Sequence, residues 1–207
     1  MRIAALFVLE DGPYAGLEDV DVWGITRDAR QYPGPHPVVA HPPCARWGRY
    51  WSGGPSYKGP PLKKGDDGGC FWRALQAVRQ WGGVLEHPAD SHAWTRFSLA
   101  KPPKSGGWVT ADWEGGYTCH VEQGAYGHKA RKGTWLYAVP SDPKRLPALR
   151  WGKAPGSFTR LDDWFHSKEE RAKSVKRGVI ERLSVREREA TPHEFRDILL
   201  GIARTCG

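Results

Sequence analysis

The stretch between Pro37 and Pro88 limits the fold of this chain more than any other part of it. Pro37-Val38-Val39-Ala40 is a short apolar run, rich in β-branched residues, that stops at His41-Pro42-Pro43-Cys44. Further on, Phe71, Ala74, Leu75, Val78 and Trp81 recur at spacings of three and four. That spacing predicts an amphipathic helix over 70–81, closed by Gly82-Gly83. Val84-Leu85 follows as a brief strand ending in Glu86-His87-Pro88. Strand, turn, helix and strand in this order form the unit of a parallel sheet with helices packed on it. An α/β fold is therefore expected, a mostly parallel sheet flanked by helices.

The remaining segments fit that class. Ile3 to Leu9 reads as a buried strand stopped by Asp11-Gly12-Pro13, and Val20 to Trp23 as a second. Residues 108–121 predict one or two strands and Thr134 to Val139 another. Thr191-Pro192-His193-Glu194-Phe195 opens a last helix running to Ala203. Residues 45–69, full of Gly, Pro, Lys and aromatics without periodicity, are expected to be a mobile loop over a site. With 207 residues the chain reads as one domain: an α/β core over 1–140, and a basic C-terminal extension over 141–207 that carries the final helix.

Charge narrows the partner. Lys and Arg number 31 against 23 Asp and Glu, a formal net charge of +8, with an isoelectric point near 9.4. A polyanion, with DNA first, is the expected partner. The 11 Trp supply core, and some are expected to stack on unpaired bases. No apolar run reaches 18 residues, so no membrane span is expected. Met1 to Leu9 is cut short by Glu10-Asp11, too soon for a secretory signal, which favours the cytoplasm. Cys44, Cys70, Cys119 and Cys206 are irregularly spaced and read as free thiols. Oligomeric state is left open.

Three chemistry-bearing residues stand at strand ends or just after them: Cys44, Glu86 and Gln123. In an open α/β sheet those ends converge on one cleft. A thiolate there can add to carbon 6 of a pyrimidine and make carbon 5 nucleophilic. A carboxyl group beside ring nitrogen 3 would hold the base edge. Arg46 and Arg49 follow the thiol and are expected to lower its pKa or grip a phosphate, and His41 and His87, beside the two strand ends, are expected to bind the substrate or DNA as well. Gln123, Tyr126, His128, Lys129, Arg131 and Lys132 form a basic loop expected to contact DNA. Each has a plainer reading: a buried small thiol, a solvated carboxylate, a solvated basic turn. Zinc-type donors occur at His41, Cys44, His87, Cys119, His120 and His128, but no paired Cys-x-x-Cys accompanies them, and no metal is assigned.

The motifs are similar to those of the DNA cytosine-5 methyltransferases. Pro42-Pro43-Cys44 resembles the family's Pro-Cys nucleophile motif. Val84-Leu85-Glu86-His87-Pro88 resembles its Glu-Asn-Val/Pro motif, with His in place of Asn. The segment Gln123 to Trp135 resembles the Gln-x-Arg-x-Arg region, with Ala125 and Gly127 where the arginines belong. Order and rough spacing agree over 37–139, and Arg182-Leu183-Ser184 through Phe195 weakly resembles the C-terminal motifs. The resemblance implies a reduced Rossmann-like methyltransferase fold, with Cys44 as nucleophile and Glu86 as base-edge ligand. It also implies S-adenosylmethionine, yet the family's Gly-rich loop is not recognisable in Leu9-Glu10-Asp11-Gly12-Pro13-Tyr14, and residues 9–36 leave little room for two crossovers. The expected activity is therefore a transferase acting at the 5-position of a DNA pyrimidine. One form passes an amine to an activated 5-hydroxymethyluracil, as in thymine hypermodification by some bacterial viruses. The alternatives are a methyltransferase with a compressed cofactor site and a catalytically inactive DNA-binding protein of the same fold.

Overall fold

The computed structural model describes residues 1–53, 57–156, 169, 172–173 and 183–206. Much of the charged stretch 168–189, Arg182, and positions 54–56 of the 45–69 loop lie outside the described residues.

Seven strands make one mixed sheet: β1 (Ile3–Leu6), β2 (Val20–Trp23), β3 (Val38–Ala40), β4 (Gly83–Pro88), β5 (Val109–Thr110), β6 (Tyr117–Glu122) and β7 (Gly133–Val139), in the order β2-β1-β3-β4-β7-β6-β5. The expectation of a mostly parallel sheet holds for one half only. β2, β1, β3 and β4 are parallel, whereas β4–β7, β7–β6 and β6–β5 are antiparallel. The connections explain the switch. Residues 111–116 and 123–132 are hairpin-length links, too short for parallel crossovers with a packed helix.

Among the described residues, four α-helices with defined bounds accompany the sheet: α1 (Cys70–Trp81), α2 (His92–Arg96), α3 (Val185–Glu189) and α4 (His193–Arg204). The 3,4 periodicity of 70–81 buries Phe71, Ala74, Leu75, Ala77 and Val78 against one sheet face, beside Leu6, Ala40, Leu85 and Trp94. The other face is closed by α4 through Phe195, Leu199, Leu200 and Ile202, which meet Ile3, Ala5, Val39, Val84 and Leu136. Each such buried aliphatic or Phe side chain contributes about 1.5–3 kcal/mol. The final helix is therefore half of the core's cover, not an appendage to a core ending at 140.

Two local features set the sheet's edge. Gly83 has φ 119°, and a β-carbon there would lie 2.0 Å from the Val38 carbonyl oxygen, so β3 and β4 approach closely only because this residue is glycine. The 45–69 loop is tied down where it is described. Trp47 is buried, and its indole donates to Asp67 at 2.7 Å. Asp67 in turn accepts from the Phe71 backbone N–H at 2.8 Å, holding the first turn of α1.

Candidate active site

Along a strand, side chains alternate between faces. Val39, Val84, Val121 and Leu136 point toward α4, so His41, Glu86, Gln123 and Thr134, each two positions further along or back, share that face at one edge of the sheet. Their side chains form a continuous hydrogen-bonded chain. The Tyr14 hydroxyl lies 2.8 Å from His41 Nε2, and His41 Nδ1 lies 3.0 Å from Glu86 Oε2. Gln123 Nε2 donates to Glu86 Oε1 at 3.1 Å and to Thr134 Oγ1 at 2.9 Å. The Thr134 hydroxyl donates to the Lys132 carbonyl at 3.1 Å.

Glu86 is 8% exposed and stays ionised. Burial pushes its carboxyl pKa up, but the His41 hydrogen bond and the charges of His41 and Lys132 outweigh it and hold the group down to about 2. Tyr14, 1% exposed, is pushed well above the ordinary phenol range by burial and then by Glu86, so it remains a neutral hydroxyl.

Cys44 sits just beyond β3, half-buried, in a turn whose carbonyl accepts from Trp47 and Gly48 N–H. Burial raises its pKa, Glu86 and Glu189 add to the rise, and Lys132 opposes it. The expectation that basic neighbours lower this thiol's pKa is corrected: in the free protein, desolvation and two carboxylates win. Lys132 is within electrostatic reach of Glu86 and Cys44. Its ammonium donates to the backbone carbonyls of Glu189 at 3.2 Å and Ala190 at 2.8 Å, at the end of α3. Burial pulls its pKa down, while Glu86 and Cys44 favour its charge.

Other candidates lie apart from this cluster. His87 is on the opposite face, 1% exposed, edge-on to Phe71 and stacked with Trp94. Burial drops its pKa to about 4, partly offset by the charge of Glu86 and by the Pro43 carbonyl, which lies near the ring but outside hydrogen-bond geometry, so neither ring nitrogen is satisfied. Tyr126 is buried against Phe195, its hydroxyl accepting from Arg150 N at 2.7 Å. His128 is turned into its own loop, accepting from Ala130 N at 2.9 Å. Lys129 pairs with Glu187 at 2.6 Å, and Arg131 reaches the Ala154 carbonyl at 2.6 Å and Glu122 at 3.3 Å. The basic loop thus spends much of its charge on α3 and on residues 122 and 154. Arg46 donates to the Trp51 carbonyl at 3.3 Å, and Arg49 lies over the Tyr50 ring. A cavity of about 880 Å³ between α4 and residues 145–150, lined by Leu149 and Ile198, includes neither Cys44 nor Glu86.

Two members of the cluster carried no sequence signal. Tyr14 lies in a turn-rich stretch, and Thr134 is an ordinary strand residue. Only the fold brings them to Glu86.

The residues where S-adenosylmethionine would sit do not fit that group. In the stretch after β1, where the Gly-rich loop would lie, Tyr14 is buried in the core and its hydroxyl is taken up by His41. The β2 carboxylate, Asp21, is taken up by the Trp23 indole at 2.8 Å and by Arg27 at 2.6 Å. Zinc-type donors do not converge either: both His41 nitrogens are engaged, His87 faces away, and among the described residues no three His, Cys, Asp or Glu form a metal-holding group. No helix of the described residues is long and apolar enough to cross a membrane. Comparison with protein-family models, curated proteins and solved structures gave no match.

Proposed function

We propose that this protein is a transferase that modifies a pyrimidine of DNA through a covalent bond between Cys44 and ring carbon 6, on a reduced methyltransferase-like fold. The observation that carries the reading is the convergence at one sheet edge of a half-buried thiol, a buried ionised carboxylate and a lysine. Four parallel strands with the thiol after one and the carboxylate on the next support the fold assignment. The net positive charge and the exposed Tyr50 and Tyr57 in the loop beyond the thiol support a DNA partner. A base inside a duplex would first be flipped out.

The chemistry balances without a resident cofactor. The Cys44 thiolate adds to carbon 6, and the electron pair of the 5,6 double bond moves to carbon 5 and the ring carbonyl. Where carbon 5 bears a hydroxymethyl group whose oxygen carries an activating group such as a phosphate ester, the carbon-5 electron pair forms a double bond to the CH2 carbon and that oxygen leaves with its activating group and its bonding pair. A primary amine then adds to the exocyclic methylene carbon and loses one proton, and departure of the thiolate restores the ring. The misfit between the residues after β1 and S-adenosylmethionine favours this over methyl transfer.

The first half of that path has its own signature. With carbon 5 unsubstituted, the adduct takes a deuteron from heavy water at carbon 5, loses the original carbon-5 proton to solvent and expels the thiolate, so the ring returns carrying deuterium. An oligonucleotide carrying both cytosine and uracil, analysed by nucleoside mass spectrometry, should gain deuterium with the native protein and none with Cys44→Ala. Exchange that survives Cys44→Ala contradicts the reading. One observation favours a second reading, a DNA-binding protein without chemistry: the Cys44 thiol is pushed up, not down. Salt-sensitive binding without any exchange would support it.

A further inference from the structure

The hydrogen bonds around Glu86 have defined directions. The Thr134 hydroxyl has one hydrogen, given to the Lys132 carbonyl, so its oxygen accepts from Gln123. That fixes the orientation of the Gln123 amide and leaves its nitrogen donating to Glu86 Oε1. On the other oxygen, the ionised carboxylate can only accept, so His41 Nδ1 donates to Glu86 Oε2 at 3.0 Å. Tyr14 meets the far nitrogen of the same ring. Both hydrogen-bonded neighbours of the carboxylate are therefore donors, and nothing in the network supplies it with a proton to give away.

A carboxylate so placed can only accept. Cytosine offers a lone pair at nitrogen 3, and two acceptors would face each other in a buried site. A uracil-type ring offers N3–H, flanked by its two carbonyl groups. Building on the reading of Cys44 as the nucleophile, we infer that the substrate is a uracil-type base, unsubstituted or substituted at carbon 5, held by its N3–H on Glu86, and that cytosine is rejected. An unmatched buried acceptor costs on the order of tenfold to a hundredfold in binding.

Two oligonucleotides that differ only in deoxyuridine or deoxycytidine at one position, each single- and double-stranded, test this through carbon-5 deuterium exchange. Exchange at uracil should be at least about tenfold faster. Glu86→Gln, whose amide can present either a donor or an acceptor, should narrow the ratio, whereas a purely structural role for Glu86 would slow both bases alike. Equal or faster exchange at cytosine overturns the inference and leaves the Cys44 adduct standing. No exchange at either base, with the protein folded by circular dichroism, removes the adduct and this inference with it.

Discussion

The Lys132 ammonium lies 2.8 Å from the Ala190 carbonyl, at the end of α3. This contact ties the helix to the site, because the same ammonium is the positive charge that opposes Glu86 at the Cys44 thiol. The thiol is held up in the free protein by burial and by Glu86. A ring N–H on Glu86 would disperse that negative charge and shift the balance at sulfur toward Lys132. Substrate itself would then favour the thiolate.

Opposite charge changes around Cys44 should therefore have opposite effects on its reactivity. Glu86→Gln removes a charge that raises the thiol's pKa, so alkylation of Cys44 by iodoacetamide at pH 8 should quicken severalfold. Lys132→Met should slow it by a similar factor. Peptide-resolved mass spectrometry separates Cys44 from the other three thiols. Equal rates in all three proteins would mean that neither charge acts on the sulfur.

Acid should destabilise the protein in two steps. His87 is neutral in the fold down to about 4, while in the unfolded chain it takes up a proton near its ordinary 6.5. Stability is intact above pH 6.5 and falls as pH drops toward 4, by roughly 3 kcal/mol. Glu86 is held down to about 2 against an ordinary 4.5, so its contribution, again roughly 3 kcal/mol, is present above pH 4.5 and lost as pH falls toward 2. Urea unfolding at stepped pH measures both. His87→Phe should flatten the first step, and since neither ring nitrogen has a partner it should not destabilise the protein at pH 7. A persisting slope between pH 6.5 and 4 in that variant would assign it elsewhere.

The aromatic cluster under the sheet should be the costliest place to truncate. Trp94 is fully buried, touching Phe71 and Trp135, with its indole N–H on Thr118 Oγ1 at 3.3 Å. Trp94→Ala should cost about 3–5 kcal/mol in urea unfolding, whereas Trp113→Ala, at an 89% exposed position, should cost under about 0.5 kcal/mol.

Much of this was written in local pattern. The 3,4 spacing of 70–81 matches α1 end to end, and the Val20–Trp23 strand falls where expected, since both rest on periodicity and turn residues. The first strand ends at Leu6, not Leu9, because Phe7 turns to φ 59°. α2 was not legible: its five residues are too few for a periodic signal. Cys44, Glu86 and Gln123 were readable as strand-end polar groups. Which face each shares was not, and so His87, one position from Glu86, was expected in the cleft that the strand's alternation turns it away from. The loop cations were legible as charge, but not as partners of Glu187, Glu122 and the α3 carbonyls, which are distant in sequence.

The exposed lysines beyond the thiol should report on phosphate contact. Lys58 and Lys63 are exposed in the loop that leaves the site edge. If that loop tracks a DNA strand, each Lys→Ala change should lower the slope of log affinity against log salt by about 0.7–0.9. Fluorescence anisotropy over 50–200 mM salt measures it, and unchanged slopes would move the DNA path elsewhere.

The central claim is a bond between one sulfur and one ring carbon. Its most direct test is to expose the protein to an oligonucleotide bearing a 5-fluoropyrimidine, digest with nuclease and trypsin, and map the adduct by mass spectrometry. The account predicts the added nucleotide on the peptide spanning 31–46, which holds Cys44. An adduct on the peptides of Cys70, Cys119 or Cys206, or none on any, would contradict it.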